Sequence, residues 1–397
     1  MMGKPKIRFK GYNEDWEQRK FSDIATRESS VCTSTSDIPS VEYEDVVAEE
    51  GRLNKDIRSK KTVKSGIAFD GTQVLYGKLR PYLQNWLNPD FKGIAVGDWW
   101  VLKPINMDKN FLYRLIQTQQ FNNIANQSSG SKMPRADWNL ISKSEFMVPL
   151  SKEEQIKIGG YFDILDHLIT LHQHKCDEMK KLKKCMLQKM FPQNGEKVPE
   201  IRFDGFTNDW EQRKLGEIAD KVSEKNKNNE FSEPFTNSAE QGIISQKEYF
   251  DREIVNNENL NGYYIVKNDD FIYNPRISVT APVGPINRNR LGRNGVMSPL
   301  YTVFRTYDID NLYLEFYFKT TKWHRFMKLN GDSGARFDRF TISSTQFMEM
   351  PIPYPTLDEQ IKIGEYFDNL DHLITLHQHK CDELQNLKKY MLQNMFV

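Results

Sequence analysis

Two identical stretches, HLITLHQHKCDE, place histidine and cysteine side chains at a spacing that can bind a metal ion. They occupy residues 167–178 and 372–383, and six of the seven histidines of the chain lie in or beside them. Residues four apart share one face of a helix, so His172 and Cys176 could supply two ligands. A tetrahedral zinc site would also need His377 and Cys381 from the second copy.

The position of this cluster within the surrounding repeat argues against a metal. His172 is the midpoint of 153–191 and His377 is the midpoint of 358–396. If two helices pair antiparallel about these midpoints, the two histidines face each other. The two cysteines then lie on the order of 12 Å apart, at 1.5 Å of rise per residue, which is too far for one zinc ion. We therefore predict the centre of a two-fold helix pair and no metal.

Other motifs of catalysis are missing from the sequence. There is no G-x-x-x-x-G-K-[ST] phosphate loop, no G-x-G-x-x-G, no H-E-x-x-H, no C-x-x-C and no G-x-S-x-G. The segment NPRI (274–277) resembles the N-P-P-[YF] loop of DNA amino-methyltransferases, but it lacks the second proline and the aromatic residue. We expect no catalytic residue in this chain.

The elements that carry the histidines are part of a longer repeat. Residues 153–191 and 358–396 are identical at 31 of 39 positions, and residues 7–25 and 201–219 are identical at 12 of 19. The segments between them, 26–152 and 220–357, show almost no similarity. The chain therefore contains the same layout twice: a short arm, a variable segment and a repeated segment.

Apolar and weakly polar residues in the repeated segment recur at steps of four and three, which is typical of a coiled coil. Capping boxes of the form S/T-x-x-E, at 151–154 and 356–359, mark both starts, and Pro192 ends the first copy. We predict two long helices that pair antiparallel. The predicted seam consists of Phe162, Leu165, Ile169, His172, Cys176, Met179, Phe367, Leu370, Ile374, His377, Cys381 and Leu384.

The variable segments combine two kinds of pattern. Short strand-like runs such as 71–77, 93–102, 262–273 and 299–307 alternate with helical patterns at 110–125 and 312–327. Each segment has the size of a compact domain. The sequence therefore predicts two α+β domains joined by a pair of long antiparallel coiled-coil helices, in a pseudo-two-fold layout.

Composition restricts the function further. The net charge of the 397-residue chain is only +1, and its four cysteines are few and widely spaced, as in a reduced cytosolic protein. No run of 18 apolar residues and no secretory signal is visible, so we expect a cytoplasmic protein without a membrane partner.

Local charge is more informative than net charge. Six basic residues and one acid lie between Arg52 and Lys64, and residues 271–307 contain five arginines. The Gly/Ser-rich loops SSGSKMPRADW (128–138) and GDSGARFDRF (331–340) each precede a capped helix. Such loops suit contacts with a phosphate backbone, although charged runs are more often plain solvated surface.

The joint pattern closely resembles the specificity subunit of type I restriction–modification systems. The residues that carry the resemblance are the arms IRFxGxxxDWEQRK (7–20 and 201–214) and the helix starts FMVPLSKEEQIKIG (146–159) and PIPYPTLDEQIKIG (351–364). The resemblance covers essentially the whole chain.

The resemblance implies a non-catalytic DNA-specificity subunit. Each variable segment would be a target-recognition domain for one half of an asymmetric, split site on double-stranded DNA, and the helices would set the spacer. Two modification subunits, which bind S-adenosylmethionine and methylate adenine, and two restriction subunits, which use ATP and Mg, would be the partners and would hold these cofactors.

The implied domains are an N-terminal arm at 1–25, a first target-recognition domain at 26–150 and a central spacer helix at 151–191. They continue with a linker and second arm at 192–219, a second target-recognition domain at 220–355 and a C-terminal spacer helix at 356–397. Within the two domains the candidate DNA contacts are Lys78, Arg80, Lys132 and Arg135, then Arg276, Arg288, Arg293, Arg336 and Arg339.

Three other functions stay open on the sequence. One is the recognition subunit of a different two-domain restriction system, whose single partner both cleaves and methylates. Another is a scaffold or enzyme that uses zinc at the His/Cys cluster. The third is a coiled-coil scaffold that does not select DNA sequences.

Overall fold

The computed structural model describes residues 3–60, 62–127, 133–193, 195–250, 257–333 and 338–397. The chain forms two compact units. Unit 1 comprises Met1–His174 and His377–Val397, and unit 2 comprises Lys175–Leu376. Each unit thus contains one arm, one variable segment and a part of each repeated segment. None of the helices in the described residues is both long enough and apolar enough to cross a membrane.

Unit 1 is a mixture of short strands and helices. Its strands are β1 (Glu17–Lys20), β2 (Ala25–Arg27), β3 (Val31–Thr33), β4 (Ser40–Val41), β5 (Ser65–Phe69), β6 (Val74–Gly77), β7 (Trp86–Leu87), β8 (Gly93–Ala95), β9 (Trp99–Pro104) and β10 (Glu145–Val148). Its shorter helices are α1 (Phe21–Ile24), α2 (Lys109–Leu115), α3 (Gln119–Ala125) and α4 (Trp138–Lys143), and the long helix α5 (Lys152–Lys189) follows.

Unit 2 repeats this plan with small changes. Its strands are β11 (Glu211–Lys214), β12 (Ala219–Lys221), β13 (Pro234–Ser238), β14 (Gly242–Ser245), β15 (Tyr264–Val266), β16 (Phe271–Tyr273), β17 (Ile286–Arg288), β18 (Gly295–Met297), β19 (Thr302–Thr306), β20 (Asp332–Ser333), β21 (Phe340–Thr341) and β22 (Pro351–Tyr354). Its helices are α6 (Gln246–Phe250), α7 (Asn311–Phe318), α8 (His324–Asn330) and α9 (Ser344–Met348), before the long helix α10 (Leu357–Asn394).

Sheet topology shows that the two variable segments share one fold despite their dissimilar sequences. A four-stranded sheet has the order β2-β9-β6-β7 in unit 1 and β12-β19-β16-β17 in unit 2. A second sheet has the order β3-β5-β8-β4 in the first unit and β14-β13-β18-β15 in the other. Both second sheets contain one parallel pair, β4 with β8 and β13 with β18. The fourth strand differs: β3 pairs with β5, whereas β14 pairs with β13, so the two second sheets have three strands in common. The predicted α+β architecture is confirmed.

Each arm is tied to the end of its own variable segment. The arm strand β1 pairs antiparallel with β10, and β11 pairs in the same sense with β22. Behind these strands lies an aromatic core that also repeats. The Phe396 ring packs on Phe111 at 5.3 Å between centroids, and the Phe191 ring packs on Tyr313 at 5.5 Å. The arm and the helix ends are therefore built into the core of each unit.

The long helices pair antiparallel inside each unit. In unit 1 the Cys381 thiol lies 4.0 Å from the carbonyl oxygen of Ile169, and in unit 2 the Cys176 thiol lies 3.9 Å from that of Ile374. Among the predicted seam residues, those that are buried are Phe162, Leu165, Cys176, Phe367, Leu370, Cys381 and Leu384. The predicted antiparallel helices are confirmed, and they end at Lys189 and Asn394, two residues earlier than the repeat.

The helix starts differ from the predicted capping boxes. The Ser151 hydroxyl accepts a hydrogen bond from the Glu154 N–H at 3.3 Å, as expected for a cap. The Glu154 carboxylate, however, is buried and accepts two bonds of 2.7 Å from the Arg8 guanidinium. In unit 2 the buried Glu359 is held in the same way by Arg202. A capping box also predicts that each glutamate carboxylate accepts a hydrogen bond from the backbone N–H of the cap residue. This part of the prediction is wrong, because each carboxylate is bonded by the arginine of its arm instead.

Candidate nucleic-acid interface

In unit 1 the loop that follows the central strand β6 contacts the segment that precedes α4. The Arg80 N–H donates to the Pro134 carbonyl at 2.7 Å, and the Ala136 N–H donates to the Lys78 carbonyl at 2.8 Å. Between these two bonds, Leu79 and Arg135 form an antiparallel bridge. The structure thus brings together three of the predicted DNA contacts, Lys78, Arg80 and Arg135, from two distant parts of the sequence.

One carboxylate organises two of these cations. Asp98 accepts hydrogen bonds from the Arg135 guanidinium at 3.0 and 3.2 Å, and the Lys78 ammonium lies 3.6 Å from it. The bonds from Arg135, and the positive charge of both neighbours, hold the pKa of Asp98 below its ordinary value. Asp98 therefore stays ionised and fixes the two side chains, while half of the Arg135 side chain remains exposed.

Arg80 is held in an unusual backbone conformation. Its φ and ψ are 47° and 63°, in the left-handed region that non-glycine residues seldom adopt, and Gln84 repeats this at 52° and 52°. Such strain costs on the order of 1–3 kcal/mol and is concentrated at functional sites. The Arg80 side chain is exposed, and within the described residues it makes no hydrogen bond or ion pair. It is therefore available to an external anion.

Unit 2 contains an equivalent arrangement after its central strand β16. The Ile277 N–H donates to the Asp338 carbonyl at 3.0 Å, and the Phe340 N–H donates to the Pro275 carbonyl at 2.7 Å. Between these bonds, Arg276 and Arg339 form an antiparallel bridge. Both predicted contacts therefore lie at the same place in the fold as those of unit 1.

The facing pair Arg276 and Arg339 is electrostatically unfavourable. Like charges directly opposite on paired strands repel each other. Both residues are exposed, and in the parts of the chain that the structure describes neither side chain has a carboxylate partner. A phosphate between them would remove the repulsion, because guanidinium groups bind phosphate with paired hydrogen bonds.

The loop that carries Arg276 is shaped by interior contacts. The Asn274 side chain donates to the Asn237 carbonyl at 2.7 Å and accepts from the Arg276 N–H at 2.9 Å. Gly284 has a φ of +82°, and a Cβ there would lie 2.1 Å from the Asn274 carbonyl oxygen. Asn274 thus supports the backbone of the loop. At the tip of this loop Val279 is 102 % exposed.

Two other predicted contacts lie elsewhere. The Arg288 side chain is only 10 % exposed and pairs with Glu315 at 2.8 Å and Asp269 at 3.1 Å. Arg293 is half-exposed, but its guanidinium bonds both oxygens of Glu233 at 2.7 and 2.8 Å. Arg288 therefore serves the interior of unit 2, and Arg293 lies beside the second sheet instead of at the bridge. Lys132 and Arg336 fall outside the described residues.

The basic run near the start of the first variable segment is also largely neutralised. Lys60 pairs with the buried Asp45 and, at 2.8 Å, with Glu42. Lys55 pairs with Asp45 at 2.8 Å, and Lys64 pairs with Glu42. The positive charges of these three lysines neutralise two buried carboxylates, so they stabilise the fold of the first variable segment.

Sequence reasoning missed some exposed apolar residues of the candidate interface. Tyr82, two residues after Arg80, is 53 % exposed, and Met133 beside Pro134 is 45 % exposed. The only sequence signal for Tyr82 was an aromatic residue inside the basic stretch KLRPYL. By contrast, Trp99 and Trp100 are buried, at 1 % and 3 % exposure, and belong to the core.

Each domain is fastened to the long helices by ion pairs at equivalent helix positions. In unit 1 the buried Arg114 bonds Asp163 and Asp166 at 2.6 Å, and Lys388 also pairs with Asp166 at 2.7 Å. In unit 2 the acids are Asp368, which pairs with Arg290 at 2.9 Å, and Asp371, which pairs with Lys183. The helix aspartates of the two units lie at equivalent positions, 205 residues apart in the sequence. The arginines that bond them, Arg114 and Arg290, do not lie at equivalent positions.

The His/Cys cluster is part of the helix seam. The Nδ1 atoms of His172 and His377 lie 2.9 Å apart, a hydrogen-bond distance. Within the described ranges, no group of three or more His, Cys, Asp or Glu side chains is placed to hold a metal ion. The predicted facing of these two histidines is therefore observed.

Comparisons with known proteins agree with this architecture. A family model described as the type I restriction modification DNA specificity domain matches the chain twice, at residues 13–181 and 207–386. Two relatives come from Methanocaldococcus jannaschii. The putative type I restriction enzyme MjaX specificity subunit is 24 % identical over 96 % of this chain and 92 % of its own length. The MjaVIII specificity subunit is 23 % identical over 72 % of this chain and 69 % of its own length.

Solved structures support the fold. The type I restriction–modification S subunit from M. genitalium superposes with a TM-score of 0.59 at 14 % identity, and covers 100 % of this chain and 99 % of that one. A chain from a study of complex assembly and conformational transition of a type I R-M system gives a TM-score of 0.50 at 16 % identity, over 95 % and 96 % of the two chains. The chain therefore belongs to the family of type I restriction–modification DNA specificity subunits.

Proposed function

We propose that this chain reads an asymmetric DNA site in two halves, one with each variable segment, and that it has no catalytic residues of its own. The observation that carries the proposal is the repeated bridge after the central strand. It presents Arg80 and Arg135 in unit 1 and Arg276 and Arg339 in unit 2. The backbone arrangement is the same, but the side chains and loops differ, so the two halves of the target differ in sequence.

The chemistry of the bridge suits both kinds of DNA contact. Exposed guanidinium groups bind phosphates and can also bond both acceptors of a guanine edge. Next to them Tyr82 in unit 1 and Val279 in unit 2 offer apolar surface for sugars or a thymine methyl group. Phosphate contacts would set the register, and base-edge contacts would supply the selectivity.

The long helices are proposed to set the spacer between the half-sites. Each runs for 38 residues without interruption, about 57 Å at 1.5 Å per residue. Half-sites on one face of DNA are separated by about 34 Å per turn, so a stiff helix can define a spacing that a flexible linker could not.

Two modification subunits and two restriction subunits are the proposed protein partners. The first would bind S-adenosylmethionine and turn the target adenine out of the stack for methylation. The second would use ATP and Mg.

Ile156 and Ile361 occupy equivalent positions of the two repeats and are 52 % and 37 % exposed. Exposed apolar residues that occur twice on a repeated surface suit the docking of two copies of one partner.

Exchange of one variable segment tests the proposal. Residues 26–150 are replaced by the variable segment of another specificity subunit, and the chimera is expressed with its modification subunit. Mapping of methylated adenine should show one half of the target changed and the other retained. A change in both halves would refute the assignment of one half to each unit.

A helix insertion tests the spacer. Adding one or two turns near residues 180–184 should change the number of bases between the half-sites and leave both half-sites as they were. An unaltered spacer would exclude the helices as the ruler.

A further inference from the structure

A cavity of about 480 Å³ lies in unit 2, and neither Arg276 nor Arg339 is among the residues that line it. It is formed by the last turns of α5, the turn after α7, and the part of α10 around Asp371 and Ile374. Five lysines and one acid line it: Lys180, Lys183, Lys184, Lys319, Lys322 and Asp371. Such a concentration of cations around a concave surface is typical of an anion site.

The single acid does not neutralise this group. Both oxygens of Asp371 are bonded by the Lys183 ammonium, one of them at 2.6 Å. Lys319 donates to the neutral side-chain oxygen of Asn287 at 2.6 Å. Lys180 and Lys184 are four residues apart, so they lie on one face of α5. Within the described residues none of the other four lysines forms an ion pair, although Glu315 and Asp371 act on Lys319, and Glu196 and Glu200 on Lys322, from a longer distance.

Two of these lysines are partly removed from solvent. Burial lowers the pKa of Lys319 and also that of Lys322. A bound anion would favour the charged form of both, since opposite charge raises the pKa of an amine.

Unit 1 provides an internal comparison. The side chains of the cap residues Asp108 and Asp310 each accept a hydrogen bond from a helix N–H. Their backbone N–H groups each donate to a glutamine side chain of the long helix, which aligns α2 with α7. With this alignment, Lys319 corresponds to Gln117. At the same offset Lys322 falls on Gln120, which lies in α3, whereas Lys322 lies in the turn before α8. Through the helix repeat, Lys180 corresponds to Gln385. Unit 1 thus has glutamines at two equivalent positions where unit 2 has lysines.

We propose that the five-lysine cavity of unit 2 is a binding site for a phosphate-bearing anion. Lysine ammonium groups bind phosphate oxygens as point charges, and the exposed Thr321 in the same turn adds a hydroxyl. The cavity is large enough for a di- or triphosphate. Two sources share this chemistry, a free nucleoside polyphosphate and the phosphate backbone of DNA. The proposal does not depend on which bases the variable segments read.

Lysine footprinting of the full-length chain tests the site. The protein is acetylated with and without tripolyphosphate, and the control contains sodium chloride at the same ionic strength. Mass spectrometry should show protection of Lys180, Lys319 and Lys322, while Lys389, on the equivalent helix face of unit 1, keeps its reactivity. Equal reactivity of the cavity lysines in all samples would overturn the proposal.

A charge-removing variant gives a second readout. Lys319→Gln with Lys322→Gln removes both charges and keeps long polar side chains, and thermal unfolding checks that the variant folds. We expect its affinity for tripolyphosphate, measured by calorimetry, to fall by about tenfold or more. Lys389→Gln is the matched control and should bind as the parent does. An unchanged affinity of the double variant would also overturn the proposal.

Competition then identifies the source of the phosphate. ATP and a duplex of random sequence are each tested for displacement of tripolyphosphate. Displacement by the duplex, together with a salt dependence of DNA binding that is weaker in the double variant, assigns the cavity to the DNA backbone. Displacement by ATP alone assigns it to a free nucleotide. Each result supports a phosphate site. Both results can be distinguished from a failure of target reading, because the double variant should still select the same target sequence.

Discussion

The imidazole rings of His172 and His377 meet through their Nδ1 atoms, 2.9 Å apart, at the equivalent residue of each helical repeat. One nitrogen must carry a proton and the other must accept it, so at least one ring is neutral in this contact. Because the two copies are identical around these residues, each helix presents the same surface to the other. A contact between equivalent residues requires the same residue in both copies, which is consistent with the identical twelve-residue stretches.

A double-mutant cycle measures this contact. His172→Ala and His377→Ala should each destabilise the protein in urea unfolding, and the double variant should lose less than the sum of the two. We expect a coupling free energy of about 0.5–1.5 kcal/mol, the usual net value of one hydrogen bond. His167→Ala with His372→Ala, at exposed positions of the same helices, is the control and should be additive. Additivity at the first pair would show that the rings are not coupled.

Stability and DNA binding can be separated at Arg80. Glycine adopts left-handed φ values freely, so Arg80→Gly should relieve strain and stabilise the protein by about 1 kcal/mol. The same change should weaken binding to the target by about 1–3 kcal/mol if the guanidinium contacts a base. Gln84→Gly, with the same backbone conformation but no charge, should stabilise the protein and leave DNA affinity alone. Melting curves and titration with the methylation target provide both numbers.

The opposite result would also be informative. If Arg80→Gly and Gln84→Gly bind the target equally well, Arg80 makes no contact that matters, and the candidate interface of unit 1 reduces to Lys78 and Arg135.

The arginine of each arm should be essential to its own unit. Arg8→Met leaves the Glu154 carboxylate buried without its cation, with the Trp16 indole N–H still donating to it at 3.4 Å. Breaking a buried ion pair costs about 3–5 kcal/mol. Replacing both partners by methionine should cost less than Arg8→Met alone, because no charge is then left unpaired. Hydrogen exchange should show lost protection near the start of α5 but not near the start of α10. Arg202→Met should produce the reverse pattern.

Features that follow from a sequence pattern could be predicted, and contacts between segments without a shared pattern could not. The position of the His172 contact belongs to the first kind, because two matching repeats have midpoints that can be counted. The bridge of Leu79 to Arg135 could not be predicted, because it joins two distant segments that share no pattern. The ion pair of Arg288 could not be predicted for a similar reason: its charge is visible in the sequence, but its partner Glu315 lies in a distant helix. Composition shows which cations exist and not which acids neutralise them.

His324 predicts a pH dependence of stability. It lies at the start of α8 against the Trp323 ring, and burial, with a smaller effect of Lys328, lowers its pKa from 6.5 to about 4. The unfolded chain therefore binds a proton at a higher pH than the folded protein does. The contribution of His324 to the free energy of unfolding is fully present above pH 6.5. It is lost as the pH falls toward 4, by about 3 kcal/mol at most.

Urea unfolding between pH 7 and pH 5 checks this, because most carboxylates titrate below that window. His324→Gln should flatten the profile in this range, and His167→Gln, at an exposed position, should keep the parent profile. A parent protein whose stability does not change over the window would contradict the prediction.

The connection between arm and helix should survive a change in chain order. In unit 2 the Ile201 N–H donates to the Lys189 carbonyl at 3.0 Å, and in unit 1 the Ile7 N–H donates to the Asn394 carbonyl at 2.9 Å. These contacts are equivalent, but residues 190–200 connect the first pair covalently, whereas the members of the second pair lie far apart along the chain. Gly3 and Val397 lie in contact, since a Cβ on Gly3 would be 2.9 Å from the Val397 side chain.

A circular permutant tests whether the covalent link matters. It begins at Gly195, joins Val397 to Met1 through two added residues, and ends at Asn194, so that the new connection has the same 11 residues as 190–200. Because both arm-to-helix contacts are kept, the permutant should unfold within about 1 kcal/mol of the parent, as expected for a change outside the buried core. With the modification subunit it should methylate the same target. As a control, opening the chain inside α5 at Lys181 removes a continuous helix and should abolish methylation. Loss of the target in the first permutant, with folding intact, would mean that the 190–200 connection itself takes part in recognition or docking.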